Sequence, residues 1–176
     1  VYACAARDIH TVYVYNHSNR DLTDYLERLK KAIDKKDVKV VQCKAVEELV
    51  QNSDIICTTT PATTPVLPDD KELLRGKCII AIGSYMPQMR EIPDAVLELV
   101  DNVYIELPYA CEESGDLSQP LANGKLTKDR IKLMHEYLAS DEQEIKEGQT
   151  TYFKSVGMGL FDVCIAQKLY EIAKEK

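Results

Sequence analysis

The stretch from Ser53 to Pro65 constrains the fold more than any other part of the 176-residue sequence. An apolar run from Asp54 to Cys57 ends there abruptly in a loop of threonine and proline, Thr-Thr-Thr-Pro-Ala-Thr-Thr-Pro. Short apolar runs bounded by turn residues are typical of parallel strands that are covered on both faces. The stretch from Ala81 to Pro87 ends a second apolar run in a comparable way. Because open α/β sheets bind ligands at the carboxyl ends of their strands, both loops are candidate binding segments.

Predicted strands and helices alternate along the chain, which indicates an α/β fold with a doubly wound, mostly parallel sheet. Right-handed crossovers in such a sheet bring the carboxyl ends of the strands to one edge. The predicted strands cover residues 11–15, 38–41, 54–57, 77–82 and 103–107. The predicted helices are the end of one at 1–7, one starting near 18–21, and those at 46–50, 69–74, 92–100, 109–113 and 127–138, with loops at 115–124 and 140–148. A long final helix is predicted from an apolar stripe of Met158, Phe161, Ile165, Leu169 and Ile172.

The composition argues against several classes of protein. The sequence has 22 basic and 29 acidic residues, a net charge of −7, which disfavours a nucleic-acid or membrane-surface partner. No apolar run approaches the roughly 20 residues that cross a bilayer, and the first residues do not resemble a secretion signal. The six cysteines form no Cys-x-x-Cys pair, so we predict neither disulfides nor a metal site, and we expect a cytoplasmic protein.

The first predicted strand ends in a third polar exit, Asn16, His17 and Ser18. In a dinucleotide-binding sheet the exit of the fold's second strand meets the adenosine ribose, where an acidic residue selects NAD, and we assign this exit to that position. Here Arg20 follows and no carboxylate precedes Asp21, so the neutral and basic donors favour NADP(H) over NAD(H). The alternative is structural, because Ser18 and Asp21 also form a Ser-x-x-Asp helix-capping pattern and Arg20 then carries a solvated charge.

The phosphate-binding turn of a dinucleotide fold is absent from the sequence. A Gly-x-Gly-x-x-Gly motif should precede the first helix, and that helix already ends at Val1–Arg7, so we expect the first strand and its glycine turn upstream of residue 1. No Ser-His-Asp or Cys-His arrangement is visible. The carboxylates lack the spacing of a catalytic pair; they are Glu91, Glu112, Glu113 and Asp116. The catalytic residues therefore stay unassigned.

Four segments resemble the ornithine cyclodeaminase/mu-crystallin family and follow one another in the family's order. The first is the threonine segment at 53–67, and the second reads Ala-Ile-Gly-Ser-Tyr-Met-Pro-Gln-Met-Arg-Glu-Ile at 81–92. The third, Glu-Ser-Gly-Asp-Leu at 113–117, is similar to the family's Glu-x-Gly-Asp segment. The fourth, Thr-Tyr-Phe-Lys-Ser-Val-Gly-Met-Gly-Leu-Phe-Asp at 151–162, is similar to its C-terminal Phe-Lys-Ser-x-Gly-x-Ala-x-x-Asp motif.

The resemblance implies a Rossmann-type NAD(P)-binding domain at 1–150 that lacks its first strand. It also implies a C-terminal helix at 151–176 that returns to a separate substrate and dimerisation domain. The positions that match the family's cofactor contacts are Asn16, His17 and Ser18 for the adenosine phosphate, Thr58, Thr59 and Thr60 for the dinucleotide, Ile82, Gly83 and Ser84 beside the nicotinamide, and Ser114 and Ser155. In this interpretation Gly83 lets the ring approach the backbone, and Ser155 donates to the carboxamide.

The resemblance further implies hydride transfer at a carbon bonded to nitrogen, with a small imino or amino acid as substrate. Ornithine cyclodeaminases carry an aspartate where this chain has Tyr85, and a tyrosine is a poor base near neutral pH because its reference pKa is about 10. We therefore expect a ketimine or imino-acid reductase or an amino-acid dehydrogenase, homodimeric at full length. The family's substrate-binding Arg and Lys would precede residue 1, so the stretch alone is expected to be inactive. Ornithine cyclisation, a non-catalytic ligand-binding protein and a structural remnant remain alternatives.

Overall fold

Parallel pairing joins every strand in the part of the chain that the computed structural model describes, residues 1–18, 20–33, 37–140 and 145–174. Helices connect the strands, so the predicted α/β class with a mostly parallel sheet is confirmed. The chain divides into two units, Val1–Ser53 and Asp54–Lys176. Among the described residues, no helix is both long and apolar enough to cross a membrane.

In the first unit, the described residues 1–18, 20–33 and 37–53 form two parallel strands and three helices. Its elements are α1 (Tyr2–Ala6), β1 (Thr11–Val14), α2 (Thr23–Ala32), β2 (Lys39–Gln42) and α3 (Val46–Gln51). The predicted capping pattern is not formed, because α2 begins at Thr23 and no side chain caps it. Instead, the Asp21 carboxylate accepts hydrogen bonds from the backbone N–H and the hydroxyl of Thr23, at 2.9 and 2.6 Å. Ser18 therefore caps no helix, and that part of the structural alternative is wrong, whereas Arg20 is exposed to solvent as the alternative predicts.

The second unit is built on a five-stranded parallel sheet in the order β3-β4-β7-β5-β6. Its strands are β3 (Ile55–Thr58), β4 (Cys78–Ala81), β5 (Val103–Ile105), β6 (Ile131–Leu133) and β7 (Thr151–Lys154). Its helices are α4 (Lys71–Leu74), α5 (Asp94–Leu99), α6 (Ala110–Glu113), α7 (Gly115–Ala122), α8 (Met134–Ala139) and α9 (Gly159–Lys174), with a 3-10 turn at Lys128–Arg130. The last strand along the chain, β7, thus lies at the centre of the sheet.

The core of the second unit lies around β4, β5 and β7. Ile79 and Ala81 are inaccessible on β4, Val103 and Ile105 on β5, and Tyr152 on β7. Helix α5 of the same unit buries Ala95, Val96 and Leu97. Such burial stabilises each large side chain by about 1.5–3 kcal/mol relative to an exposed position. The polar residues at the strand ends therefore follow strands whose side chains form a packed apolar core.

Three sequence-based expectations differ from the structure. Residues 115–124, predicted as a loop from Gly115 and Pro120, contain helix α7, because the Ser114 hydroxyl caps it and Leu117 is fully buried. Residues 127–138, predicted as one helix, divide into the 3-10 turn, β6 and α8, because β6 pairs with β5 at the sheet edge. In the predicted C-terminal segment 151–176, the helix starts only at Gly159, after β7.

Candidate functional site

The carboxyl ends of four neighbouring strands form one edge of the second unit's sheet. Thr58 ends β3, and its carbonyl accepts a hydrogen bond of 2.9 Å from the backbone N–H of Ile82, just after β4. The Ala81 carbonyl at the end of β4 accepts one of 3.0 Å from the N–H of Ser155, just after β7. β5 pairs with β7 on its other side. The predicted exits after β3 and β4 are thus adjacent, and the exit after β7 joins them.

The carboxylate of Glu91 ties the exits of β3 and β4 together. One oxygen, Oε1, accepts from the backbone N–H of Thr60 at 2.5 Å and from its hydroxyl at 2.8 Å. The other, Oε2, accepts from the Thr58 hydroxyl at 2.9 Å and from the backbone N–H of Gly83 at 2.8 Å. Glu91 is inaccessible to solvent. The hydroxyls of Thr58 and Thr60, which the sequence offers to a ligand, are therefore bonded to a buried carboxylate instead.

Gly83 lies where two loops touch through their backbones. A Cβ atom at this position would stand 2.2 Å from both the N and the O atom of Thr60, and 2.6 Å from Oε1 of Glu91. Real Cβ atoms do not approach backbone atoms so closely, so only glycine fits. A glycine at position 83 thus lets the exits of β3 and β4 pack against each other. This explanation differs from the predicted one, in which the glycine lets a nicotinamide ring approach the backbone.

The Glu-x-Gly-Asp segment at 113–116 packs against the loop that follows β4. The Ser84 hydroxyl donates to the Met89 carbonyl at 2.8 Å and lies 2.8 Å from the Ser114 hydroxyl. Both serines are inaccessible. A Cβ at Gly115 would stand 2.1 Å from the Met89 carbonyl oxygen, so this contact also requires a glycine. Ser84 and Ser114 are thus brought together, and both hydroxyls are bonded inside the protein.

A second buried carboxylate, that of Glu106 just after β5, organises the exit of β7. Its Oε1 atom accepts from the Ser155 hydroxyl at 2.6 Å, from the N–H of Val156 at 2.7 Å and from the N–H of Gly157 at 2.8 Å. Gly157 has φ of +84°, a conformation that favours glycine. The predicted Ser155 contact is therefore located at this edge, with its hydroxyl bonded to Glu106.

A buried ion pair lies behind these loops. The Asp116 Oδ2 and Lys154 Nζ atoms are 3.5 Å apart, and both side chains are inaccessible. Asp116 Oδ1 accepts from the backbone N–H groups of Glu91 and Ile92, at 2.7 and 3.0 Å. Burial raises the pKa of Asp116, opposed by those hydrogen bonds and by the charge of Lys154. Burial lowers the pKa of Lys154, and the Asp116 charge opposes that change.

The surface of this edge that faces solvent is smaller than the set of predicted contacts. Thr59 is exposed, Ile82 is 47% exposed, and Tyr85 and Met86 beside them are also open to solvent. Together they present the hydroxyls of Thr59 and Tyr85 and the apolar side chains of Ile82 and Met86 next to the backbone of Gly83. Thr59 and Ile82 are therefore the predicted contacts at these two exits whose side chains a ligand can reach without rearrangement.

The predicted adenosine-phosphate residues lie in the first unit, in the loop after β1. Asn16, His17 and Ser18 are all exposed, and so is Arg20. The Asn16 side-chain oxygen accepts from both the N–H and the hydroxyl of Ser18, each at 2.9 Å. This compact turn presents neutral and basic groups to solvent.

Sequence reasoning missed the four buried charged residues of the edge, Glu91, Glu106, Asp116 and Lys154. The sequence contained one signal for two of them. Glu106 follows the strand sequence Val-Tyr-Ile, and Lys154 follows Thr-Tyr-Phe. A charge that is buried at the end of such a strand must be paired. In the described ranges, no group of three or more His, Cys, Asp or Glu side chains is placed to hold a metal ion.

The chain is similar in sequence to two proteins named as imine reductases. It is 32% identical over 175 residues to Delta(1)-pyrroline-2-carboxylate reductase of Bacillus cereus, covering 98% of this chain and 52% of the relative. It is 32% identical over 135 residues to ketimine reductase mu-crystallin of Rattus norvegicus, covering 77% of this chain and 40% of the relative. The chain thus spans about half the length of these relatives.

A solved structure shares the fold. Delta(1)-pyrroline-2-carboxylate reductase of Thermococcus litoralis, solved with NADH and L-proline, superposes with a TM-score of 0.84 at 23% identity, covering 98% of this chain and 53% of that one. The model of the ornithine cyclodeaminase/mu-crystallin family matches residues 2–176. The resemblance drawn from four short segments is therefore confirmed over nearly the whole sequence, and the chain belongs to the ornithine cyclodeaminase/mu-crystallin family.

Proposed function

We propose that this chain forms the dinucleotide-binding part of an NAD(P)-dependent oxidoreductase that acts on C–N bonds, as a ketimine or imino-acid reductase or an amino-acid dehydrogenase. The observation that carries the proposal is the edge at which β3, β4 and β7 end together, held by Glu91 and Glu106. Open parallel sheets bind nucleotides at this edge. The relatives named as reductases of pyrroline-2-carboxylate and of ketimines support the same chemistry.

The residues at this edge fit a nicotinamide dinucleotide. The exposed Ile82 offers an apolar contact to a flat ring, and Thr59 offers a hydroxyl to the polar part of the nucleotide. Thr58, Thr60, Gly83, Ser84, Ser114 and Ser155 act by fixing the loops. The cofactor, once bound, supplies or accepts the hydride. The chain's own contribution is to hold two loops in one geometry, so that little ordering is required on binding.

We propose NADP(H) as the preferred cofactor, bound through the loop after β1. Asn16, His17, Ser18 and Arg20 are exposed there, and the carboxylate of Asp21 is engaged by Thr23. The Thermococcus litoralis relative was solved with NADH, and iminosuccinate reductase of Paracoccus denitrificans with NAD+. Those complexes support the class of ligand, and the choice between the two nucleotides rests on this loop.

Titration of the protein at its natural length tests the cofactor preference. We expect NADPH to bind about 10-fold more tightly than NADH, because Arg20 adds a charge-assisted contact to the 2′-phosphate. Arg20→Ala should remove this difference and leave NADH binding unchanged. The matched control is Arg28→Ala, an exposed arginine on α2 of the same unit. Tighter binding of NADH than of NADPH would contradict the preference.

Turnover distinguishes the reductase from its alternatives. We expect the natural-length protein to oxidise NADPH in the presence of a cyclic ketimine such as pyrroline-2-carboxylate, measured by loss of absorbance of the reduced cofactor. Release of ammonia from ornithine without net cofactor turnover would instead identify a cyclodeaminase. Dinucleotide binding with no turnover across ketimines and amino acids would identify a non-catalytic binding protein.

We further propose that residues 151–176 lead from the sheet to a substrate and dimerisation domain, and that the protein is a cytoplasmic homodimer. Helix α9 supports this, since its Phe161, Ile165 and Leu169 side chains are 48%, 61% and 62% exposed and need a protein partner. All six cysteines, which lie within the described residues, are free, as in a reducing compartment. Sedimentation of the natural-length protein as a monomer would contradict the homodimer.

A further inference from the structure

We propose that Glu91 is a positioning residue for the dinucleotide, and that Thr58 and Thr60 act on the cofactor through Glu91 rather than by contacting it. This inference rests on the proposed function. Thr58 and Thr60 belong to the threonine loop, whose composition alone indicates direct contacts to a ribose or pyrophosphate. Their donor groups, however, are already bonded to the buried carboxylate.

The four hydrogen bonds to Glu91 are divided evenly between its two oxygens. Each oxygen accepts one backbone N–H and one hydroxyl: Thr60 supplies both to Oε1, while Gly83 and Thr58 supply those to Oε2. A hydroxyl can turn around and accept, but a backbone N–H can only donate. A glutamine at this position would therefore direct its NH₂ group at a backbone N–H in either orientation. All four hydrogen bonds can therefore form with a carboxylate at position 91 but not with the amide of a glutamine.

The carboxylate joins two loops that the chain separates widely. Thr60 lies 31 positions before Glu91, and Gly83 lies eight positions before it. With these bonds in place, the exposed Thr59 and Ile82 are held between fixed neighbours on both exits. Asp116 in turn fixes the backbone of Glu91 by accepting its N–H at 2.7 Å. Glu91 therefore sets the distance between the two groups that a dinucleotide can reach.

The experiment compares a complete dinucleotide with a fragment in the natural-length protein. NADPH carries the nicotinamide that the exits of β3 and β4 are proposed to hold, whereas 2′,5′-ADP lacks it. We expect Glu91→Gln to weaken NADPH binding about 10-fold or more and to change 2′,5′-ADP binding less than about 2-fold. Glu136→Gln, an exposed acid on α8, is the matched control and should change neither.

A double-mutant cycle tests whether Thr58 acts through Glu91. Thr58→Val keeps the shape of the side chain and removes one donor to the carboxylate. If the hydroxyl works through Glu91, the losses of NADPH affinity in Thr58→Val and Glu91→Gln are strongly non-additive. If the hydroxyl contacts the cofactor directly, the losses of binding free energy in the two single variants add up to the loss in the double variant. That result overturns the inference.

The remaining outcomes are also decisive. Equal losses for NADPH and 2′,5′-ADP in a folded Glu91→Gln protein would mean a general structural role and would overturn the positioning role. Should that variant fail to fold, Glu91→Asp carries the same comparison, since it keeps the acid and withdraws it by one methylene group. A wild-type protein that binds no dinucleotide removes the proposed function itself, and the inference with it.

Discussion

We expect Gly83→Ala to abolish measurable dinucleotide binding and to lower the free energy of unfolding by about 3 kcal/mol, the upper range for forcing extra atoms into a packed site. The added Cβ would stand 2.2 Å from two backbone atoms of Thr60, and the Glu91 carboxylate holds that backbone in place. The clash can be relieved only by separating the exits of β3 and β4. Such a separation breaks the hydrogen bonds to Glu91 and moves the groups that face the ligand.

Chemical denaturation and NADPH titration of the same variant measure both effects. Gly159→Ala is the matched control, because a Cβ at Gly159 meets no atom within 4 Å and its backbone conformation is open to any residue. We expect that control to match the wild type in binding and to be no less stable. A Gly83→Ala protein that binds NADPH as the wild type does would show that the contact between the two loops does not shape the site.

We expect Lys154→Met to lower the free energy of unfolding by about 3 kcal/mol, because it leaves the buried carboxylate of Asp116 without its cation. Both partners are inaccessible, so solvent does not compensate for the loss. Adding Asp116→Asn should recover part of the stability, since an asparagine oxygen still accepts from the N–H groups of Glu91 and Ile92 and carries no charge. Lys71→Met, which removes a half-exposed pair with Glu98, is the control and should cost less than about 1 kcal/mol.

The cost of Lys154→Met should depend on pH in a defined direction. Burial already raises the pKa of Asp116 above its value in the unfolded chain, and losing Lys154 raises it further. A group with a raised folded pKa contributes stability that is present below its unfolded pKa and is lost as pH rises through the folded one. The difference in free energy of unfolding between Lys154→Met and the wild type should therefore be smaller near about pH 5 than near about pH 8. A cost that is equal at both pH values, or larger in acid, would contradict this assignment of the buried charge.

Local sequence patterns predicted most elements of the fold, and non-local pairing explains the elements they missed. The apolar runs at β3 and β4 and the β-branched run at β1 identify strands by themselves. β6 and β7 are short and derive their structure from β5 and β4, to which they pair across long sequence separations. In α7 the local signals of Gly115 and Pro120 are outweighed by the cap from Ser114 and the burial of Leu117.

The location of the candidate site could be predicted from the sequence, but the hydrogen-bond partners of its side chains could not. The loop after β3 and the one after β4 were expected to lie together, and they do. What the sequence could not reveal is which way the hydroxyls of Thr58 and Ser155 turn, because their partners are distant in the chain. Glu91 lies 33 positions from Thr58, and Glu106 lies 49 positions from Ser155. A threonine-rich loop looks the same in sequence whether it binds a ligand directly or is held by a buried acid.

Hydrogen–deuterium exchange with and without NADPH tests the proposed binding edge most directly, because bound ligand slows local opening where it contacts the protein. We predict slower exchange at 58–65, 82–86 and 155–157, the exits of β3, β4 and β7. Residues 100–102, which precede β5 and lie at the opposite edge of the sheet, should exchange at an unchanged rate. Unchanged exchange at all three exits when NADPH is saturating, or protection confined to the opposite edge, would contradict the account.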